Sequence, residues 1–150
     1  MTETINVLLE MYKSEMSWAK QAEDQRTTIA NIILVVASII IGIIPKSGGL
    51  GKDTLPVSIF LIALGLYGAL VSQKLYERFR FHYGRARHHR RKLNELLPDT
   101  EIQKSMDDAD EEHKKKYRWL SRVSFNRLWM SLYITIAVAG LILTAIILTL

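Results

Sequence analysis

The sequence predicts an all-α membrane protein with three transmembrane helices, a long cytoplasmic antiparallel helical hairpin and an N-terminal amphipathic helix. Three stretches lack any charged residue, at 27–44, 55–72 and 128–150. Each reaches the roughly 17 to 25 residues that a helix needs to cross the hydrocarbon core of a bilayer. Between the second and third stretches the chain is strongly charged, with apolar residues at helical spacing, which is typical of an exposed helical segment.

The first 26 residues predict an amphipathic helix that leads into the first span. Its apolar face consists of Ile5, Leu8, Leu9, Tyr12, Met16 and Ala19. Two placements are open for it, on the membrane surface or against the cytoplasmic arms. Because this polar segment precedes the first span, we expect no cleaved signal peptide.

The distribution of basic residues predicts the orientation of the spans. Fifteen of the 20 Lys and Arg residues lie in 73–127, three in 1–26 and two in the glycine-rich loop at 45–54. Under the positive-inside rule the large middle segment lies in the cytoplasm. With three spans, the N-terminus is then cytoplasmic, the short loop is outside, and the C-terminus is periplasmic or extracellular.

The middle segment predicts two matching helical arms, 73–97 and 100–127, with a turn near 98–100 at Pro98. At about 1.5 Å per residue each arm is about 40 Å long. A cap at Asp99 or Thr100 starts the second arm. Each arm has an apolar seam: Leu75, Phe79, His82, Ala86, His89, Leu93 and Leu97 in the first, and Ile102, Met106, Ala109, His113, Tyr117, Leu120 and Ser124 in the second.

The first arm is basic and divides into two groups by its expected height above the membrane. Lys74, Arg78 and Arg80 are close enough to attract anionic lipid headgroups, which act only within a Debye length. Arg87 to Lys92 stand roughly 20 Å or more above the membrane on a continuous helix. The residues expected to contact a ligand or partner are Arg85, Arg87, Arg90, Arg91 and Lys92. That partner is the acidic run 107–112 of the second arm, a second protein or a phosphate-bearing ligand, and we favour the acidic run.

Small and hydroxyl residues recur four apart in the spans, a spacing that lets helices approach closely. They are Ser38 and Gly42 in the first span, Gly65 and Ala69 in the second, and Ser131, Thr135 and Ala139 in the third. We expect them to pack helices, within one chain or between chains, with pore lining as the alternative. The central turns of the spans contain no ionisable residue, which argues against proton-coupled transport.

The sequence predicts neither an enzyme nor a bound cofactor. It contains no phosphate-binding loop, no zinc-protease motif and no nucleophile beside a histidine and an acid. His82, His88, His89 and His113 do not have the spacing of a metal site, and the chain has no cysteine. The acidic run 107–112 is followed by three lysines and most simply forms pairs four residues apart, with a divalent-cation site as the alternative.

The layout of spans, a minimal external loop and the continuation Tyr-Glu-Arg-Phe-Arg-Phe-His-Tyr into a cytoplasmic helical return resembles the SLATT-like small membrane proteins of bacteria. The third span departs from the usual two-span pattern of that family. The resemblance implies an effector of the bacterial inner membrane in antiphage defence, which oligomerises and breaches the membrane when a soluble sensor protein or a nucleotide signal activates it.

Three functions are therefore open. The first is a homo-oligomeric effector that forms a pore or disrupts the membrane, contacting lipids but not nucleic acid directly. The second is a non-catalytic anchor or structural subunit for a soluble partner. The third, a small transporter, lacks the intramembrane charge that such proteins use.

Overall fold

A computed structural model describes residues 2–44, 50–97 and 102–150. The described chain forms four α-helices: α1 is Thr2–Ile43, α2 is Leu55–Leu96, α3 is Ile102–Lys116 and α4 is Phe125–Thr149. Short 3₁₀ helices cover Lys52–Thr54 and Leu120–Arg122. No strand occurs in these ranges, which confirms the predicted all-α class.

Three of the helical segments are long and apolar enough to cross a membrane. They are Thr2–Ile43, Lys52–Leu96 and Phe125–Thr149. They contain the three uncharged stretches of the sequence, as predicted. The outer loop was predicted from 45 to 54, and its residues 45–49 lie outside the described ranges, as do Pro98 and the predicted cap at Asp99 or Thr100.

Two helices are longer than a span because no stop signal interrupts them. In α1 the amphipathic segment continues directly into the first uncharged stretch, with no proline or glycine before Gly42. In α2 the second stretch continues through Gly84 to Leu96. A single glycine costs a helix about 1 kcal/mol relative to alanine, which a helix of this length tolerates.

The chain divides into two compact units, the first of which joins Met1–Glu23 to Glu77–Ser124. Here the beginning of α1 packs against α2, where Glu15 lies 2.7 Å from His82 and 3.2 Å from Arg85. The amphipathic segment thus contacts the first predicted arm, while the cytoplasmic location of that arm stays a prediction. Most of its predicted apolar face is buried or half-buried, but Leu9 is 38% exposed. On α2 the predicted seam is likewise buried or half-buried, with Ala86 at its centre.

The second predicted arm differs from the structure. Instead of one helix over 100–127, α3 ends at Lys116, and a turn and a 3₁₀ helix precede α4. From Met106 onward the predicted seam of this arm is solvent-exposed: Met106 is 38%, Tyr117 41% and Leu120 59% exposed. The charged run at 107–116 makes α3 polar on most sides, so a few apolar residues do not hold it in a seam.

The second unit joins Asp24–Tyr76 to Phe125–Leu150. Its core is formed by α1, α2 and α4, with Ala30, Ile33, Ala37, Leu61, Tyr133 and Ile136 at the centre. Three glycines let the helices approach closely. A Cβ on Gly65 would lie 2.6 Å from the backbone nitrogen of Ala137, and Gly68 and Gly140 are as crowded. This is the small-residue packing that membrane helices use.

Candidate functional site

A basic groove in the first unit is the candidate functional site. It has a volume of about 600 Å³. Its lining residues are Gly84, Arg87, His88, Arg90, Arg91, Asn94, Glu95 and Gln103. All but the last belong to α2, where spacings of three and four residues place Arg87, Arg90, Arg91 and Asn94 on one side of the helix. We call this feature the basic groove.

The start of α3 closes one side of the basic groove. Asn94 donates a hydrogen bond of 3.4 Å from Nδ2 to Oε1 of Gln103. Arg90 donates from Nη1 to the Met106 sulfur at 3.1 Å. These contacts hold the first turn of α3 beside α2, and they keep Arg90 half-buried while Arg87 and Arg91 are exposed.

The structure brings together three of the five residues predicted to contact a ligand or partner. Arg87, Arg90 and Arg91 line the basic groove. Lys92 is exposed and does not line it. Arg85 turns instead to α1, where its Nε lies 3.2 Å from Oε1 of Glu15. The position of a residue along α2 could be read from the sequence, but the side of the helix that it occupies depended on the packing of α1.

The favoured partner of these arginines, the acidic run, does not contact them. Within the described residues the ion pairs of this region are local, Arg91 with Glu95 at 3.9 Å and Lys115 with Glu111 at 3.7 Å. No ion pair joins the basic groove to 107–112 in the described part of the chain. The predicted pairing four residues apart is therefore found, whereas the predicted bridge between arms is not.

The chemistry available in the basic groove is anion binding. A guanidinium is a planar fork of donors that matches a carboxylate or a phosphate with two parallel hydrogen bonds. Here three guanidiniums share one wall with a single carboxylate, Glu95. Among the described residues, no cluster of three His, Asp or Glu side chains could hold a metal ion.

A second polar cluster in the first unit centres on Glu15, a residue that the sequence reasoning missed. Its side chain is 11% exposed and its Oε2 lies 2.7 Å from Nδ1 of His82. Trp18 stacks on the His82 ring with centroids 6.2 Å apart. Glu15 lies three residues after Tyr12 and four before Ala19, so its position on the apolar face was a signal that a buried partner was needed.

A buried arginine joins the three helices of the second unit. Arg26 is 1% exposed. Its Nε donates to the Ser72 hydroxyl at 2.8 Å, and its Nη2 donates to the Asn126 side-chain oxygen. The guanidinium also lies over the rings of Tyr76 and Trp129, 5.4 Å and 5.7 Å from their centroids. In the sequence Arg26 was only the last charge before the first uncharged stretch.

This arginine network extends through neighbouring polar side chains. Asn126 donates from Nδ2 to Oε1 of Gln73 at 3.2 Å. A separate contact lies about 21 Å further along α2 at 1.5 Å per residue, where the Thr144 hydroxyl donates to that of Ser58 at 2.9 Å and joins α4 to α2. Ser72 and Ser58 are both buried. The signal available in the sequence was the coincidence of Arg26, Ser72 and Asn126 at the ends of three uncharged stretches.

The seven residues predicted to pack helices differ in how deeply they are buried within one chain. Gly65 is in tight contact with α4, and Ala69 and Ala139 are half-buried. Ser38, Gly42, Ser131 and Thr135 are exposed, and a Cβ on Gly42 would meet nothing within 4 Å. The register of α4 explains part of the difference, since Tyr133, Ile136, Ala137 and Gly140 form its buried face. Packing between chains by the exposed set stays a prediction.

The three residues predicted to meet lipid headgroups, Lys74, Arg78 and Arg80, are all exposed.

Comparisons with family models, curated proteins and solved structures found no match to this chain. The chemistry of the basic groove and of the arginine network must therefore be inferred from their own side chains.

Proposed function

We propose that this chain is an oligomeric effector of the bacterial inner membrane, which forms a pore or disrupts the membrane in an antiphage defence system. Its charged, cytoplasmic unit receives a partner protein or a nucleotide signal. The observation that carries the proposal is the continuity of α2. One helix, Leu55–Leu96, contains both the second uncharged stretch and the arginines of the basic groove. An anion bound at Arg87, Arg90 and Arg91 would act on the same helix that crosses the membrane.

The membrane-spanning part of the proposal is supported by the outer surface of the helices. Large apolar side chains are exposed along each of them, with Ile32 at 58%, Leu70 at 72% and Leu141 at 54%. In water such surfaces would aggregate, whereas in a bilayer they meet lipid tails at no cost. The arginine network would then lie at the cytoplasmic end of the spans, where Arg26, Gln73 and Asn126 reach the headgroup region.

The orientation follows from the positive-inside rule, with the N-terminus and residues 73–127 in the cytoplasm and the C-terminus outside. The absence of cysteine makes this directly testable. A single cysteine at Ser121 should react with a membrane-impermeant maleimide only after the cells are opened. A cysteine at Leu150 should react in intact spheroplasts, and the reverse pattern would contradict the proposed orientation.

Oligomer formation is supported by the small and hydroxyl residues that one chain leaves uncovered. Ser38, Ser131 and Thr135 satisfy their hydroxyls on their own helices, donating to Leu34, Leu128 and Ser131 carbonyls. On these helix faces the three hydroxyls therefore already have acceptors, which suits close approach by a helix of another copy. The resemblance to SLATT-like effectors supports the same assembly.

The alternative is a non-catalytic membrane anchor, in which the charged unit docks a soluble partner and the spans only hold it. Dye release from liposomes separates the two functions. Purified oligomer should release an encapsulated dye from anionic vesicles, and a variant with Arg90→Glu and Arg91→Glu should show whether the charged unit controls release. An intact oligomer that never releases dye, with or without its activating partner, would favour the anchor.

A further inference from the structure

Two surfaces of opposite charge in the first unit do not meet within one chain. The basic groove presents Arg87, Arg90 and Arg91, of which the first and last are exposed. The acidic run of α3 is exposed over its whole length, 107–112. Each surface lacks a counterion of the other kind among the described residues, apart from the local pairs of Arg91 with Glu95 and Glu111 with Lys115.

Two carboxylates of the acidic run, Asp108 and Glu112, point away from the groove of their own chain. Gln103 and Met106 face α2, since they hold the hydrogen bonds to Asn94 and Arg90. At about 100° per residue, Asp108 and Glu112 lie on the opposite side of α3. The same contacts that close the basic groove therefore turn these two carboxylates outward, toward another molecule.

We propose that the acidic face of α3, Asp108 and Glu112, docks into the basic groove of a second copy of this chain. This inference rests on the oligomeric part of the proposed function and names its contact. Arginine forks bind carboxylates through paired hydrogen bonds, so Arg87, Arg90 and Arg91 can hold two carboxylates spaced one helical turn apart. Each copy has one groove and one acidic face, so an assembly of copies contains equal numbers of the two surfaces.

The geometry of such a contact determines the kind of assembly. A groove that binds a different surface on its neighbour makes a head-to-tail interface, and such interfaces close into rings when the rotation allows. A ring of charged units would bring several copies of α2 into register at the membrane. Four of its five charged residues, Arg87, Arg91, Asp108 and Glu112, are exposed, so the contact should weaken as salt is raised.

Cysteine cross-linking tests this contact with all of its charges in place. Two differently tagged copies would be co-expressed, one with His88→Cys in the basic groove and the other with Ser105→Cys on the acidic face of α3. Since the chain has no native cysteine, a short bis-maleimide reacts only at the introduced cysteines, and an adduct that carries both tags reports position 88 joined to position 105. The matched control replaces the first copy with Ser14→Cys on the exposed side of α1.

The expected result is a covalent adduct with both tags from His88→Cys with Ser105→Cys and none from the control. Adding Arg90→Glu and Arg91→Glu to the groove copy should abolish the adduct, and Asp108→Arg with Glu112→Arg in the other copy should restore it. Adduct that forms equally with the control, or that survives the charge reversal, overturns the docking.

A mass measurement of the solubilised particle separates this inference from the function on which it rests. An oligomer without the adduct shows that the docking is wrong while oligomerisation stands. A monomer without the adduct contradicts both. If ATP or inorganic pyrophosphate protects His88→Cys from the maleimide and no adduct forms in its absence, the groove belongs to a phosphate-bearing ligand and the docking is overturned.

Discussion

Arg26 donates a 2.8 Å hydrogen bond from Nε to the hydroxyl of Ser72, a residue 46 positions further along the chain. The same guanidinium reaches Asn126 on α4, so one side chain fastens three helices at the end of their uncharged stretches. Hydrogen bonds from a charged donor are roughly twice as strong as neutral ones. Because Arg26 is almost fully buried, its loss leaves the surrounding acceptors without a donor and without access to bulk water.

We expect Arg26→Gln to lower the free energy of unfolding of the detergent-solubilised protein by about 3 kcal/mol, since it removes two charge-assisted hydrogen bonds at about 1.5 to 3 kcal/mol each. Thermal unfolding followed by circular dichroism measures the change. Lys20→Gln is the matched control, because Lys20 is exposed on the same helix. Equal melting temperatures for the two variants would show that Arg26 does not fasten the helices.

The sequence predicted the helices well and their contacts less well. Uncharged stretches, basic flanks and helical spacing are local signals, and they placed all three long helices. Which side of each helix is buried depends on how the other helices pack against it, and this is not a local signal. That is why Gly65 was found in a helix contact, whereas Gly42 was not.

Those two glycines should respond oppositely to alanine. Gly65→Ala places a methyl group 2.6 Å from the backbone of α4, so we expect a loss of stability of about 1 to 3 kcal/mol from overpacking. Gly42→Ala meets no atom within 4 Å in the chain and should be neutral or stabilising for the helix. Thermal unfolding compares the two directly.

A larger substitution at Gly42 tests packing between chains. If Ser38 and Gly42 form an oligomer contact, Gly42→Leu should reduce the mass of the solubilised particle while each chain stays folded. An unchanged mass would remove this face from the assembly.

Glu15 should stabilise the first unit through its contacts with His82 and Arg85. We expect Glu15→Gln to cost about 1 kcal/mol, the upper range for exposed ion pairs, because the carboxylate is partly shielded from water. Glu10→Gln is the control, since Glu10 pairs with Lys13 at 2.8 Å on an exposed surface. Amide hydrogen exchange over α1 reports the local effect, and equal protection in both variants would contradict it.

The sequence predicted which types of residue form the candidate site better than it predicted the partners of those residues. A dense basic run on a continuous helix indicated an anion-binding surface, and Arg87, Arg90 and Arg91 do line one groove. Arg85 pairs with Glu15 instead of lining the groove, and Asp108 and Glu112 point away from it. Both outcomes depended on where α1 and α3 pack. Neither is encoded in spacing along α2 alone.

Charge reversal should separate the two groups of basic residues on α2. Arg90→Glu with Arg91→Glu should uncouple activation or assembly while insertion stays intact, because these residues line the basic groove. Arg78→Glu with Arg80→Glu should instead weaken membrane attachment or orientation, since juxtamembrane charges each contribute about 1 kcal/mol with anionic lipid. Carbonate extraction measures insertion, and particle mass measures assembly. Failed insertion of the first variant would show that this division is wrong.

We propose that the assembled spans breach the membrane, and the membrane potential of living cells reports such a breach directly. The chain would be induced in bacteria carrying a potential-sensitive dye, both alone and together with the genes that neighbour it. We expect the potential to collapse and growth to stop in at least one of these conditions, and Arg90→Glu with Arg91→Glu to prevent the collapse. An unchanged potential and unimpaired growth in both conditions, with the protein present in the membrane, would contradict the claim.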